Sequence, residues 1–584
     1  MSLSRRDLLP LLTASVAAGV LPRISRAQAK EDPYALKPFG NARIIHQTDT
    51  HAQASPCYFR EPNANIGVGP AAGRPPHLVG KAFLERFQIA PDSRKAYAFT
   101  YLNFAESAER FGRLGGFAHL RSLIARLRAE VPENASLMLD GGDLMQGSML
   151  ANATDGAAMV ELANMLGIDA MTGHWEFTYG QEQLRKNIAA FRGDFVAQNV
   201  FLTDNAAFNN APAFDAASGR VFQPYVMKDL GGRRVAVIGQ AFPYVPIAHP
   251  ARFTPDWNFG IRDQEMQQVI DTVRSKEKAD AVILLSHNGM DVDLKLASKV
   301  NGIDIILGGH THDCVPVPSI VSNAAGKTLV TNAGSAGKCV AVLDLDIGAG
   351  RVNQIRYTLL PVFSDLLPAD KEVAARLASL QAPLATKADE VLAHNEVLLY
   401  RRGNFTGSMD QLICDALTER MDAPIALSPG FRWGNSFLPG QAITMGDVQT
   451  HTAITYPDVY VVEMTGAALK ATMEDVCDNL FNADPYLQQG GDMVRVGGMN
   501  YACTPANPLG ARISEMALSD GTPVEPAKTY KVAGWASVTQ PQTTQPVWAV
   551  VADYLRDKKI ATLRAPNRVR VKGVDGNPGY DAPV

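Results

Sequence analysis

The chain has 584 residues, 46% of them hydrophobic and 20% charged, the make-up of a soluble globular protein. That length exceeds one ordinary core and predicts two or more domains. A formal net charge of -4 gives no electrostatic basis for binding nucleic acid, and six cysteines without CxxC spacing exclude a disulfide framework or a zinc knuckle, leaving one disulfide at most.

Residues 4–29 open with SRRDLL, continue in an apolar run and close on AQA, the pattern of a signal peptide. The apolar run is too short to remain across roughly 30 Å of hydrocarbon. The paired arginines point to the twin-arginine route, which exports proteins already folded. A mature chain starting near Lys30 and located in the periplasm is the expectation.

Beyond the signal, β-rich runs alternate with amphipathic helices. ARIIHQTDTH (42–51) reads as a buried strand ending in polar residues, and FAHLRSLIARLRAE (117–130) carries apolar residues at helical spacing. SLMLDGGDLMQGS (136–148), RRVAVIGQA (233–241), DAVILLSHNG (280–289) and IDIILGGHTHD (303–313) each read as a strand followed by a tight loop. Between the first two segments lies an insertion at about 54–110. Its Pro- and Gly-rich part, REPNANIGVGPAAGRPP (60–76), predicts an ordered irregular loop rather than a helix.

The strand-end loops hold the chemistry. Five of the eleven histidines sit in them, namely His51, His174, His287, His310 and His312, beside Asp49 and Asp143. DTH and HTH each set two ligand-type side chains two residues apart, so an extended segment can turn both to one side. The glycines at 141, 142, 308 and 309 allow close backbone approach. Two carboxylates and five imidazoles are too many for one tetrahedral site; they suit two divalent ions about 3.5 to 4 Å apart sharing a carboxylate. Manganese, zinc and iron all accept such donors. Folded export favours manganese, loaded before zinc or copper can compete. A non-catalytic binding protein is disfavoured, because all seven positions keep coordinating side chains.

The ordered set DxH, GGD, GHxE, SHNG and GGHTHD resembles the calcineurin-like metallophosphoesterases, and within them the 5'-nucleotidase family. That resemblance implies a four-layer α/β/β/α catalytic domain (40–365), a helical linker (366–395) and a smaller C-terminal α/β substrate-binding domain (396–584), after a signal peptide at 1–29. It also implies that Asp49, His51, Asp143 and His312 hold one metal. Asp143 would bridge to a second, held by His174, His287 and His310. Asp143 and His174 are thereby expected to be catalytic.

One motif departs from the family. TGHWEFTYG (172–180) stands where nucleotidases carry GNHEFD: His174 replaces the Asn ligand, Trp175 the His and Thr178 the Asp of the pair that assists the leaving group. Neither Trp nor Thr supplies a proton at neutral pH. This departure, with CYFREPN (57–63), PPHLVG (75–80) and DGGDLMQGS (140–148), is similar to the SoxB thiosulfohydrolases of thiosulfate oxidation. The resemblance implies sulfate release from a cysteine S-thiosulfonate on the carrier protein SoxYZ, whose persulfide leaving group is weakly basic and needs no acid. The alternative is a periplasmic 5'-nucleotidase or other phosphoesterase.

In the C-terminal half, SPGFRWGNSFLPGQAITMGDV (428–448) resembles the nucleotidase segment whose arginine touches phosphate, which makes Arg432 the first candidate to bind the sulfonate and serve catalysis. A guanidinium holds two oxygens of an oxyanion at once. Arg402 and Arg401 come next and Arg495 after them; Trp175 is expected at the substrate. Phe431, Trp433 and Tyr501 are candidates for an aromatic clamp, and Cys57 for a nucleophile. The inter-domain cleft is expected to narrow to a channel for an extended tail, walled in part by the insertion, with Arg432 at its inner end.

Overall fold

Each strand leading to a histidine loop is buried on both faces. In Ala42–Gln47 and Ala281–Ser286 every residue is inaccessible, which suits the unbroken runs RIIH and AVILLS. In the computed structural model, which describes residues 32–538, 545–563 and 567–581, these strands belong to two six-stranded sheets. The signal-peptide reading of residues 1–29 lies outside the described residues. No helix among the described residues is long and apolar enough to cross a membrane.

The first sheet runs Arg351–Pro361, Cys339–Gly348, Ala42–Gln47, Ser136–Asp140, Ala170–Met171, Asp194–Phe195. The second runs Ser319–Asn323, Gly326–Asn332, Ile305–Gly308, Ala281–Ser286, Arg233–Gln240, Tyr225–Leu230. Ile44, Leu139 and Leu343 from one sheet and Val237, Ile283 and Leu307 from the other share one core, so the sheets pack face to face. Helices Asp263–Ser275 and Met290–Lys299 cover the outer face of the second sheet through Val269, Ile270 and Leu296. The outer face of the first meets Phe117–Ala129, where Arg43 donates to the Leu127 carbonyl at 2.9 Å and pairs with Asp344. The result is the α/β/β/α sandwich expected.

The core strands Ala42–Gln47 and Ser136–Asp140 run parallel in register, Gln47 beside Asp140, as do Ala281–Ser286 and Ile305–Gly308. Their carboxyl ends, and the loops bearing the ligand candidates, therefore emerge along one edge.

The insertion departs from expectation in part. Residues 60–76 are irregular apart from the short turn Gly69–Ala71, but Gly80–Phe87, Arg94–Phe99 and Phe104–Phe111 are helices. Phe83, Tyr97, Phe99 and Phe104 pack into the shared core. The proline-rich stretch dominates the sequence signal, whereas the helices are set by aromatic residues that find a core to bury in.

After the helix Lys371–Gln381, the C-terminal lobe is built on a four-stranded sheet (Val459–Thr465, Thr529–Trp535, Ile425–Ser428, Arg495–Gly497) and two three-stranded sheets. Its last described segment folds back onto the insertion: the Pro578 carbonyl accepts from Val79, and Asp581 N–H donates to the Asn63 carbonyl, both at 2.9 Å.

Candidate dinuclear metal centre

The seven candidate ligands converge in two buried groups. Asp49, His51, Asp143 and His312 form one, and His174, His287 and His310 the other, each with donor atoms close enough to share a cation. Oδ2 of Asp143 joins them, lying 3.1 Å from His287 Nε2, 3.3 Å from His51 Nε2 and 3.4 Å from His174 Nδ1. Asp49 Oδ1 stands 3.4 Å from His312 Nε2 and 3.6 Å from His287 Nε2.

The backbone is bent to make this possible. Asp49, His51, Asp143, His310 and His312 all adopt positive φ, between 45° and 72°. Non-glycine residues rarely do so, and such strain persists only where surroundings impose it. Gly309 meets a different need: a Cβ there would stand 2.5 Å from Thr48 Oγ1 and 3.0 Å from His287 Nδ1. The glycine thus admits the neighbouring loops.

Electrostatics fit two cations. Burial lowers His51 and His174 to about 4, so both rings are neutral and keep their lone pairs at pH 7. His310 and His312 are held well below the usual range by the same burial. Nδ1 of His51, His310 and His312 and both ring nitrogens of His174 are buried without a hydrogen-bond partner. Of these atoms His174 Nδ1 faces Asp143 Oδ2 at 3.4 Å, and the Nε2 atoms of His51 and His312 stand 3.1 Å apart beside Asp143 and Asp49, so neutral imidazole lone pairs surround the carboxylates as the ligands of a divalent ion would. The residues present therefore fit two divalent ions.

Four features of the site escape the motif reading. Glu176 places its carboxylate on four backbone amides, Leu144 at 2.7 Å, His174 at 2.8 Å, Met145 at 3.1 Å and Asp143 at 3.2 Å, pinning two ligand loops together. Phe242 lies under His174 and His310, with ring centroids 4.0 and 4.3 Å apart. His249, lowered to about 3 by burial and hence neutral, packs edge-on to Trp175. The Gln489 carbonyl meets Nε2 of His310 at 2.9 Å. Of these, only the glutamate has a sequence signal, as the last residue of GHxE.

A cleft of about 530 Å³ opens on His51, Asp143, His174, His310 and His312. Its other walls come from Phe242–Ala248, Leu427–Trp433, Thr472–Val494 and Trp535–Val538, none of them in the insertion. The insertion (54–110) meets the site from another side, where Pro62, Asn65, Pro76 and His77 wall a smaller cavity that His310 and Arg432 also line. Arg432 is 8% exposed in this cleft and donates to the His310 carbonyl at 2.6 Å. Arg402 lies behind, bonded to the His312 carbonyl at 2.8 Å, and lines a smaller adjoining cavity.

The other candidates are engaged elsewhere. Arg401 is locked on Asp410, and Arg495 is paired with Asp492 and Asp410. Tyr501 is buried in a separate core. Phe431 and Trp433 stack directly on one another, centroids 4.3 Å apart, with Trp175 edge-on to both at 5.3 and 5.2 Å, which leaves no slot for a ring between them. Cys57 is buried and its thiol is pushed up to about 12, so it is no nucleophile at neutral pH, and it does not line the cleft.

This fold and centre define a metal-dependent hydrolase of the calcineurin-like class. Residues 42–314 match the calcineurin-like phosphoesterase family and residues 391–543 the 5'-nucleotidase C-terminal domain family. The chain belongs to the 5'-nucleotidase family of calcineurin-like phosphoesterases. A solved structure from Thermus thermophilus, described as the sulfate thiohydrolase SoxB in complex with glycerol, is 36% identical, with a TM-score of 0.86 over 92% of this chain and 98% of that one. A 5'-nucleotidase precursor from the same organism shares the fold at 22% identity and TM-score 0.70, over 91% of this chain and 99% of that chain. The trifunctional nucleotide phosphoesterase YfkN of Bacillus subtilis is 26% identical over 74% of this chain, which spans only 31% of that protein's length.

Proposed function

We propose that this hydrolase releases sulfate from a cysteine S-thiosulfonate carried on a partner protein, as in thiosulfate oxidation, with SoxYZ as the carrier. We further propose that it acts in the periplasm after twin-arginine export, with manganese as the resident metal. The observation that carries the reading is the missing acid. Trp175 is 6% exposed and packed among Phe431, Trp433 and His249, while the Thr178 hydroxyl is engaged by Thr455 at 2.7 Å. Neither offers a proton to a leaving group. The 36% identity to a protein described as a sulfate thiohydrolase supports the same reading.

Two divalent ions held by the seven ligands would supply Lewis acidity and activated water. The chain does the rest. Arg432 is set to hold sulfonate oxygens at the cleft wall, and the aromatic cluster excludes bulk water from the reacting sulfur. The oxygen of one water bonds to the sulfonate sulfur as the sulfur–sulfur bond breaks. The bond's electron pair leaves on the persulfide anion, sulfate keeps the oxygen, and the water's two protons pass to solvent.

The second reading, a phosphomonoesterase, rests on the nucleotidase relatives. Sulfate release from a thiosulfonated cysteine peptide, assayed beside AMP hydrolysis, separates them. Sulfate release should exceed AMP hydrolysis by roughly 10²-fold or more, the usual worth of a positioned acid. The reverse ranking would establish the phosphoesterase.

A further inference from the structure

All seven candidate ligands belong to the amino-terminal lobe, yet one of them is oriented from the other lobe. Nε2 of His310 lies 2.9 Å from the backbone carbonyl of Gln489. A carbonyl only accepts, so Nε2 carries the ring proton. Nδ1, buried and without a partner, then keeps the lone pair for a cation. His287 shows the same arrangement within one lobe, its Nδ1 donating to the Gly141 carbonyl at 2.6 Å while Nε2 faces Asp143.

The segment that supplies this carbonyl is fitted closely to the ring. Gly490 has φ +72°, and a Cβ there would stand 2.5 Å from His310 Nε2. Gly491 has φ +87°, and a Cβ there would meet nothing within 4 Å. The residues just before are tied to the amino-terminal lobe, for the Tyr244 hydroxyl donates to the Tyr486 carbonyl and Lys295 pairs with Asp484. The loop that carries His310 is held from the same side, since Arg432 and Arg402 donate to the carbonyls of His310 and His312.

We propose that Gln489 and Gly490 are positioning residues of the metal centre. The Gln489 carbonyl fixes the His310 tautomer that turns Nδ1 toward His174 and His287, so cation binding at that three-imidazole position depends on the docked C-terminal lobe. The position formed by Asp49, His51, Asp143 and His312 takes no ligand tautomer from this carbonyl, which touches His310 alone among the seven. Partners that orient a ligand in this way are generally worth about 10- to 100-fold in metal affinity.

The two glycines give a matched test. Either alanine strains a left-handed backbone, but only the one at 490 meets His310. Metal-stripped full-length protein is titrated with Mn²⁺ by calorimetry, with folding followed by circular dichroism. Wild type and Gly491→Ala should bind two ions alike, and so should Gln489→Ala, which keeps the carbonyl. Gly490→Ala should bind one ion normally and the other at least about tenfold more weakly. Should Gly490→Ala fail to fold, Tyr244→Phe with Lys295→Ala, which loosens the preceding residues, should weaken one ion selectively. Two ions bound at wild-type affinity in the deciding variant, equal loss in Gly491→Ala, or fewer than two ions in wild type would each overturn the proposal.

Discussion

The backbone N–H of Trp175 donates to Oδ1 of Asp143 at 2.8 Å, leaving Oδ2 to face His51, His174 and His287. Trp175 thus orients, through its backbone, the carboxylate between the two metal positions. Its side chain meanwhile packs into the C-terminal core with Phe431 and Trp433. Because these roles divide between backbone and side chain, substitution at 175 can alter the cleft while the hydrogen bond to Asp143 survives.

Asp143→Ala should therefore remove both metals, since its carboxylate serves each position. Metal analysis of the purified variant is the check. Retention of one ion with full activity would argue against a shared carboxylate.

Trp175→His combined with Thr178→Asp restores the missing acid pair. Hydrolysis of a small alkyl phosphate should rise by roughly 10²- to 10⁴-fold, the ordinary worth of general acid catalysis. AMP should gain less, because the stacked Phe431 and Trp433 leave no slot for its base. A gain confined to AMP would contradict the closed clamp.

Glu176→Gln should loosen the centre without touching a ligand. An amide side chain has one acceptor oxygen where the carboxylate has two, and its NH2 would face amides that also donate. Each buried amide left unpaired costs about 1–3 kcal/mol, so the variant should melt earlier and bind metal more weakly. Thermal unfolding with metal present and after chelation separates the two effects, and unchanged melting in both would remove Glu176 from this role.

The insertion carries its own pH dependence. His77 Nε2 lies 2.9 Å from Asp291. Burial opposes the charge on His77, but the Asp291 carboxylate outweighs it and raises the ring above its ordinary value. Burial likewise opposes ionisation of Asp291, and His77 prevails in lowering it. The raised histidine stabilises the fold fully below its unfolded pKa near 6.5, and that contribution fades as pH rises through the folded value. The lowered aspartate contributes above about 3.9 and fades as pH falls through its folded value. The pair is thus worth most between about pH 4 and 6.5. His77→Gln should lower the melting temperature most within this window and by less above and below it, and an unchanged profile would show the pair to be inert.

How much of this was legible in the sequence follows from how local each signal is. DTH, GGD and GGHTHD state their ligands within a few residues, and parallel strands bring such loops to one edge whatever the rest of the chain does. Arg401 and Arg402 show the opposite case. They are neighbours with the same chemistry, but one turns to Asp410 and the other to the His312 carbonyl, a choice made by partners distant in the chain. Phe431 and Trp433 are legible as a local aromatic pair, whereas their mutual stacking and the edge-on contact with Trp175 of the other lobe are made by the fold. The Gln489 contact is made by a backbone carbonyl, which has no side-chain signature.

The return of residues 578–581 onto Asn63 and Val79 has a consequence in time. During synthesis at roughly 5–20 residues per second, residues near 580 leave the ribosome roughly 25–100 s after those near 63. Through that interval the insertion's irregular stretch is without the segment that holds it in the finished fold. A nascent amino-terminal lobe must wait with this face open, and protection by a chaperone would matter most there, before the last segment closes over it.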